Sequence, residues 1–322
     1  MHIPPPQPVG TAAPRLPPGT VVLERGWLSA NNILCLGVDG DGDRDGAAIV
    51  DTGYCAHAPQ TVALVGAALA GRPLSLIANT HLHSDHCGGN AALQQAWPAA
   101  RTLVPPGQAA HVRTWNPEAL SYTPTGQDCP PFRMDGVLAP GSTVRLGAHD
   151  WQVHAAPGHD THSVVLFEPE YRVLLSADAL WENGFGVVFP ELEGEHAFDD
   201  VAATLDLISA LAPRTVVPGH GGVFTDVGRA LDTARRRLDG YVRDPARHAL
   251  YAAKVLLKYK LLEWQSVPLD RLHAWALATP YFGTLHAGHF AGQPRADWQD
   301  ALVQDLLRSG AATRDGDMLH NA

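Results

Sequence analysis

Residues 79–90 read NTHLHSDHCGGN, and the reading of this stretch decides the fold. It follows a strand-like apolar run at 74–79 and leads into a helical pattern at 91–97. His81 and His83 stand two apart, so in extended backbone their side chains point the same way. Asp85 and His86 then enter a turn and face a neighbouring position, with Gly88 and Gly89 letting the chain bend sharply into the helix. Imidazole and carboxylate donors suit zinc and related divalent ions. The segment offers two donors to one metal and two to a second. It completes neither coordination shell, so further donors must come from elsewhere in the chain.

Working outward, several apolar β runs end in a residue of the same kind. The run IVD ends in Asp51, LIANT precedes His81, WQVHAAPG precedes His159, VLLSA precedes Asp178 and TVVPG precedes His220. In an α/β sandwich the strand ends converge on one edge of the sheets, so these five ligand-type residues would face a common cleft. Each has a plainer reading as well. Asp51 alone is as readily the cap of a turn, and His159 and His220 alone are loop histidines. The shared PGH context of the last two argues against that for the pair.

The stretch 79–90 resembles the HxHxDH signature of the metallo-β-lactamase fold superfamily, and the order Asp51, His81–His86, His159, Asp178, His220 over residues 20–225 is similar to that family's order of site residues. The resemblance implies an αββα sandwich and a dinuclear metal site. It implies that His81, His83 and His159 hold one metal, that Asp85, His86 and His220 hold a second, that Asp178 bridges them, and that Asp51 sits just behind and orients the site. It implies two zinc ions, with iron or manganese as variants, and a metal-bridging hydroxide that cleaves an ester-like bond such as a thioester or lactone. Asp85 would be the catalytic residue that orients that water or accepts its proton. A glyoxalase II-like thioester hydrolase is the leading activity. A mononuclear-iron persulfide dioxygenase, a nuclease of the same superfamily and a non-catalytic metal-binding regulator are the alternatives.

The chain departs from the pattern in places. After His159 it reads HDTHS where many relatives read HTxGS, so His162 replaces a small residue; it either bonds a backbone carbonyl or contacts substrate. Cys87 adjoins His86 and is read as packing rather than as a ligand. The Asp/Gly stretch DGDGDRDG at 39–46 lacks the closing Glu of a calcium loop and is read as a hairpin turn between strands at 32–38 and 47–51.

Charge and composition narrow the partners. The 322 residues carry a formal net charge of −10, which argues against a dedicated nucleic-acid binder. The four cysteines form no CxxC pair, consistent with a reduced protein. The proline-rich start, residues 1–19, has no basic-then-apolar signal pattern and reads as an irregular lead-in; with no apolar run of bilayer length, a cytoplasmic location is expected. After residue 225 helices dominate, with patterns at 226–242, 246–264, 269–278 and 296–308 and a hairpin around Asp315-Gly316, an order that suggests a winged-helix-like module at 226–322. Residues 229–260 hold nine Lys/Arg against three Asp, a local balance of +6 in an acidic chain. This is either a solvated helix face or a patch that attracts a small anionic substrate. In the second reading Arg235, Arg236 and Arg237 are part of the patch. Such a module allows a homodimer contact.

Overall fold

The computed structural model describes residues 13–37 and 46–322. The turn expected between the first two strands, and most of the lead-in, lie outside the described residues.

Two sheets form the body. The first contains β1 (Thr20–Leu23), β2 (Asn32–Cys35), β3 (Ala47–Val50), β4 (Leu74–Ala78), β5 (Arg101–Val104) and β6 (Gly136–Val137), side by side in that order. β1 to β3 pair antiparallel, and β3 to β6 pair parallel. The second contains β7 (Thr143–Leu146), β8 (His149–Ala155), β9 (Val164–Glu168), β10 (Val173–Ala177) and β11 (Thr215–Pro218), antiparallel except for the parallel pair β10–β11. β2, β3, β9, β10 and β11 are buried along their whole length, which is why they read as unbroken apolar runs rather than alternating ones.

Helices cover both outer faces. On the first sheet lie α1 (Ala58–Leu69), α2 (Ser84–Cys87), α3 (Asn90–Ala96), α4 (Ala109–Thr114) and α5 (Tyr122–Thr125). Val65, Leu69 and Leu93 pack there against Leu34, Ile49 and Ile77. On the second lie α7 (Ala197–Leu211) and α8 (Val227–Arg243), with Leu205, Ile208 and Leu231 against Val165 and Leu174, while α6 (Phe189–Leu192) packs with the C-terminal helices. Between the sheets Ile33, Val50, Trp151, Leu166 and Leu175 interlock. The four layers are the αββα sandwich expected from the sequence.

The C-terminal region is mainly helical. It comprises α8, α9 (Pro245–Trp264), α10 (Leu269–Ala278), α11 (Pro280–Leu285) and α12 (Arg295–Arg308), with a small antiparallel sheet of β12 (Ser266–Pro268), β13 (Ala312–Asp315) and β14 (Met318–Asn321) in the order β12-β14-β13. The β13–β14 hairpin turns at Gly316, which takes a left-handed φ of 56°. The join between α8 and α9 follows from local chemistry. Asp244 accepts the backbone N–H of Arg247 at 3.3 Å, and Pro245 starts α9 where a missing N–H does no harm. α8 buries Val227, Ala230, Leu231, Ala234, Leu238 and Tyr241, a stripe at helical spacing that leaves its arginines on other faces. α9 reaches the body directly: Tyr259 packs edge-on against Tyr54 with ring centroids 5.2 Å apart, and Glu263 accepts from the Tyr54 hydroxyl at 3.0 Å. Among the described residues no helix is long and apolar enough to cross a membrane.

Candidate metal centre

The site is built on strand ends. Asp51 follows β3, His81 follows β4 by three residues, and Asp178 and His220 follow β10 and β11. The backbone there departs from ordinary geometry: Asp51 and Ala177 take φ of 54° and 46°, left-handed values that side-chain-bearing residues adopt rarely and mainly where the surroundings demand it.

Seven donors fall into two groups. His81, His83 and His159 bring one nitrogen each to within 4.8 Å of one another, and Asp85, His86, Asp178 and His220 do the same with one donor atom each. Asp178 faces both groups. Its Oδ1 lies 3.4 Å from His86 Nε2, and its Oδ2 lies 3.4 Å from His159 Nε2. Asp85 Oδ2 is 3.0 Å from His220 Nε2, and His83 Nδ1 is 2.8 Å from His159 Nε2.

The surrounding atoms fix how these rings sit. Asp51, buried, accepts the Thr80 N–H at 2.9 Å on one oxygen. On the other it meets the Thr80 hydroxyl and His86 Nδ1, both at 2.7 Å. That contact places a proton on His86 Nδ1 and turns Nε2 toward Asp178. His159 Nδ1 donates to the Val187 carbonyl at 2.5 Å, which frees its Nε2 in the same way. Two glycines make the approach possible. A Cβ on Gly219 would lie 2.2 Å from Asp178 Oδ1, and one on Gly186 would lie 2.4 Å from His159 Nδ1.

Gly88 and Gly89 serve the site differently from the expectation. Their φ values, −61° and −82°, are helical, so they make no sharp bend. A Cβ at Gly88 would meet Ser84 O at 2.5 Å and Cys55 N at 2.6 Å, and one at Gly89 would meet Thr52 O at 2.3 Å. They let α2 and α3 press against the loop after β3, where Thr52 N–H bonds to His86 O at 2.7 Å.

Burial and charge act in opposite directions across the two groups. Burial pushes the pKa of His81 well below its ordinary value and those of His83 and His159 down to about 4, so these rings are neutral lone-pair donors at neutral pH. Burial also opposes charge on His86 and His220. There the carboxylates of Asp178 and Asp85, joined at His86 by Asp51, outweigh it and raise both values. The donor chemistry fits divalent cations. His81 Nε2 and His86 Nε2 are buried and have no hydrogen-bond partner, and the carboxylates of Asp85 and Asp178 line the same cleft.

The remaining sequence expectations resolve as follows. Cys87 Sγ points away from the clusters, 3.2 Å from the Tyr122 hydroxyl and 3.8 Å from Cys129 Sγ, a packing position. The His162 ring lies over Gly107, outside both groups. Its neighbour Asp160 is the residue that reaches in: its carboxylate accepts the His162 N–H at 2.7 Å and lies 3.9 Å from His83 Nε2. The sequence reading passed over Asp160, although a carboxylate beside His159 was a signal. It also missed two tryptophans with no spacing cue. Trp27 stacks on His220 with centroids 5.4 Å apart, and Trp181 donates to Asp178 Oδ1 at 3.1 Å. The three adjacent arginines make different contacts: Arg235 pairs with Asp206 at 2.9 Å, Arg236 bonds Thr233, and Arg237 donates to the Phe185 carbonyl at 3.2 Å.

The cleft over the clusters encloses about 80 Å³ and is walled by Trp27, Trp181, Phe189, Tyr251 and Tyr259.

A sandwich with this edge defines a known class of protein. The sequence profile of the metallo-beta-lactamase superfamily matches residues 34–220, more than half of the chain, and the chain belongs to that superfamily. It is 34% identical over 144 residues to the hydroxyacylglutathione hydrolase of Rhodobacter capsulatus, covering 44% of this chain and 46% of that protein. It is 27% identical over 165 residues to the acyl-coenzyme A thioesterase MBLAC2 of Gallus gallus, covering 48% and 58%. The chain thus spans about half the length of the curated relatives it matches. Among solved structures, a metallo-beta-lactamase family protein from Thermus thermophilus superposes with a TM-score of 0.59 at 21% identity, over 96% of this chain and 100% of that one. A beta-lactamase domain protein from Burkholderia ambifaria does so with a TM-score of 0.56 at 20% identity, over 96% and 94%.

Proposed function

We propose that the protein is a metal-dependent hydrolase of thioesters. The observation that carries this is Asp178, whose two carboxylate oxygens each lie 3.4 Å from an imidazole nitrogen of a different group, so that one carboxylate would serve cations held by both groups. Divalent ions held there, zinc best by the donor set, supply Lewis acidity that makes water nucleophilic near neutral pH and draws charge from a carbonyl oxygen. The thioester preference is supported by the two named relatives, a hydroxyacylglutathione hydrolase and an acyl-coenzyme A thioesterase.

The chain's own residues then do the positioning. His81, His83 and His159 form one rim, and Asp85, His86 and His220 the other. Asp85, in the lining of the cleft, would orient water and accept its proton. Trp27, Trp181 and Phe189 keep bulk water from the reacting carbonyl.

Metal analysis of the purified protein beside a panel of two thioesters, a lactone and a β-lactam tests the reading. About two transition-metal ions per chain, with thioester turnover abolished by chelation, is the expected result. One firmly held iron with oxygen consumption on a persulfide would replace it with the dioxygenase reading. A preference for the lactone or β-lactam would remove the thioester.

A further inference from the structure

Beside the metal cleft, between α8 and α9, lies a second cavity of about 410 Å³. Its lining includes Arg236, Arg237, Arg247 and Lys254, with Tyr241 and Tyr251, and no carboxylate. In a chain of net charge −10, four cations around one hollow stand apart. Other arginines of the same region are paired: Arg229 with Glu182 at 2.5 Å, and Arg235 with Asp206 at 2.9 Å. Among the described residues no carboxylate lies within ion-pair distance of Arg236, Arg237 or Arg247, whereas Lys254 is paired with Asp305 at 3.5 Å. Arg237 is held in place from two sides, by the Phe185 carbonyl and by the Tyr251 ring, whose centroid lies 5.5 Å from its guanidinium carbon.

Tyr251 links this hollow to the chemistry. It lines the cationic cavity, the metal cleft and a third cavity of about 430 Å³ walled mostly by apolar groups, Trp27, Val255, Leu262 and Leu306 among them, with Lys254 and Lys258 also in its lining. From the metal edge, therefore, one branch is dominated by arginines and the other by apolar side chains, with Lys254 between them. A thioester divides the same way, into an apolar acyl half and a polar thiol half. A tripeptide thiol carries two carboxylates but also an ammonium group, and the lining of the cationic cavity presents that ammonium with three unpaired guanidinium groups and no carboxylate. A phosphorylated thiol carries several negative charges and no such ammonium, and guanidinium forks match phosphate oxygens in pairs.

We propose that the cavity formed by Arg236, Arg237, Arg247 and Lys254 binds the phosphate groups of the substrate's thiol half, so that the substrates are acyl thioesters of a phosphorylated carrier thiol. This deepens the thioester reading above and rests on it for the reaction, though not for the binding.

The test compares kcat/KM for an acyl-coenzyme A with that for the same acyl group on pantetheine, which lacks the phosphates, in wild type, in R236A/R247A and in R235A. The ratio of the two constants is expected to fall roughly tenfold to a hundredfold in R236A/R247A through KM, because two charge-assisted contacts are lost. It should hold in R235A, whose partner lies elsewhere. A ratio equal in all three proteins overturns the proposal and leaves the hydrolase reading standing. If no thioester is turned over, that reading fails by itself, and titration with adenosine 3′,5′-bisphosphate decides the site independently. Saturable binding weakened in R236A/R247A supports it, and binding that is absent or indifferent to the variant overturns it. Tighter, arginine-dependent binding of a single-stranded oligonucleotide than of the bisphosphate would also overturn it, in favour of a polymer.

Discussion

The metal edge and the cationic hollow adjoin at Tyr251 but are built by opposite means. At the edge, His81, Asp178 and His220 sit one to three residues past strand ends, buried, and the short side chain of Asp51 holds the site from behind. Their direction is set by the backbone, and glycines such as Gly219 clear the space. In the hollow, long flexible side chains leave two helix faces, and only packing decides where each one points. Strand order along the chain therefore reveals the first region, while a count of arginines says little about the second. The two regions should also respond differently to substitution.

The largest effect is expected at the edge. Asp178→Asn removes the charge that joins the two groups, and His83→Ala removes one of three nitrogens of its group. Both should bring thioester turnover to background and lower metal content, while the circular dichroism spectrum stays that of the wild type, because the apolar cores lie elsewhere. Full metal occupancy in Asp178→Asn would show that the carboxylate is not shared.

The next effect is on stability and crosses between the regions. His248 of α9 is buried, and its Nε2 accepts the Val188 N–H at 3.0 Å. The adjacent Val187 carbonyl holds His159, so α9 supports the metal edge through two residues of loop. Burial, helped by the nearby charge of His289, lowers the His248 pKa to about 4, while the rings of Tyr241 and Phe198 pack on it. A ring that is neutral when folded contributes stability that is complete above pH about 6.5 and declines as pH falls toward about 4, because the unfolded chain takes up the proton first. The loss across that window is on the order of 3 kcal/mol. Urea unfolding at several pH values, for wild type and His248→Gln, measures it. The wild-type curve should fall more steeply with acid, and parallel curves would refute the account.

Much of this architecture was legible beforehand, for physical reasons. β9 and β10 have both faces buried, so they read as apolar runs with clear ends. α8 and α9 carry helical periodicity that starts at their N-caps, Asp226 and Asp244. The elements that escaped are short or lean on neighbours. The two-residue β6, the three-residue β12 and the one-turn helices α5 and α6 have too few residues for a period. β1 is half-buried throughout and so shows no alternation. At the site, all seven donors named from sequence fall in the two groups, His83, Asp85 and His86 on the short helix α2 and its N-cap and the others in the loops that follow strands. Trp27, Trp181 and Tyr251 escaped because only tertiary packing brings them to His220 and Asp178.

A smaller loss is expected one layer back from the donors. Asp51→Asn keeps the size of the side chain but removes the charge that His86 Nδ1 and the Thr80 hydroxyl both meet. Removing such a supporting carboxylate typically lowers metal affinity by about 10–100-fold. Competition with a chelator should show the larger loss at the ion that His86 holds, since Asp51 touches that ring directly and reaches His81 of the other group only through the Thr80 hydroxyl, 3.1 Å from His81 Nδ1. Equal weakening of both would mean that the groups are coupled more tightly than the distances suggest.

The smallest effect sharpens the reading of the hollow, because it is nearly nothing. Arg235, Arg236 and Arg237 are adjacent in sequence, and charge counting treats them as one patch. On a helix, neighbouring residues point about 100° apart, so three consecutive arginines cannot share a face. Arg235 leans over α7 to Asp206, and both side chains are well exposed. Exposed pairs of this kind contribute about 0.2–1 kcal/mol, less in salt. Arg235→Ala should therefore shift the urea midpoint slightly and leave KM for a charged substrate where it was. Arg237→Ala, in the wall of the hollow and seated on Tyr251, should raise that KM more at low salt than at moderate salt. If the two variants raise KM alike, the field of the whole helix attracts the substrate, and the particular cavity is not what recognises it.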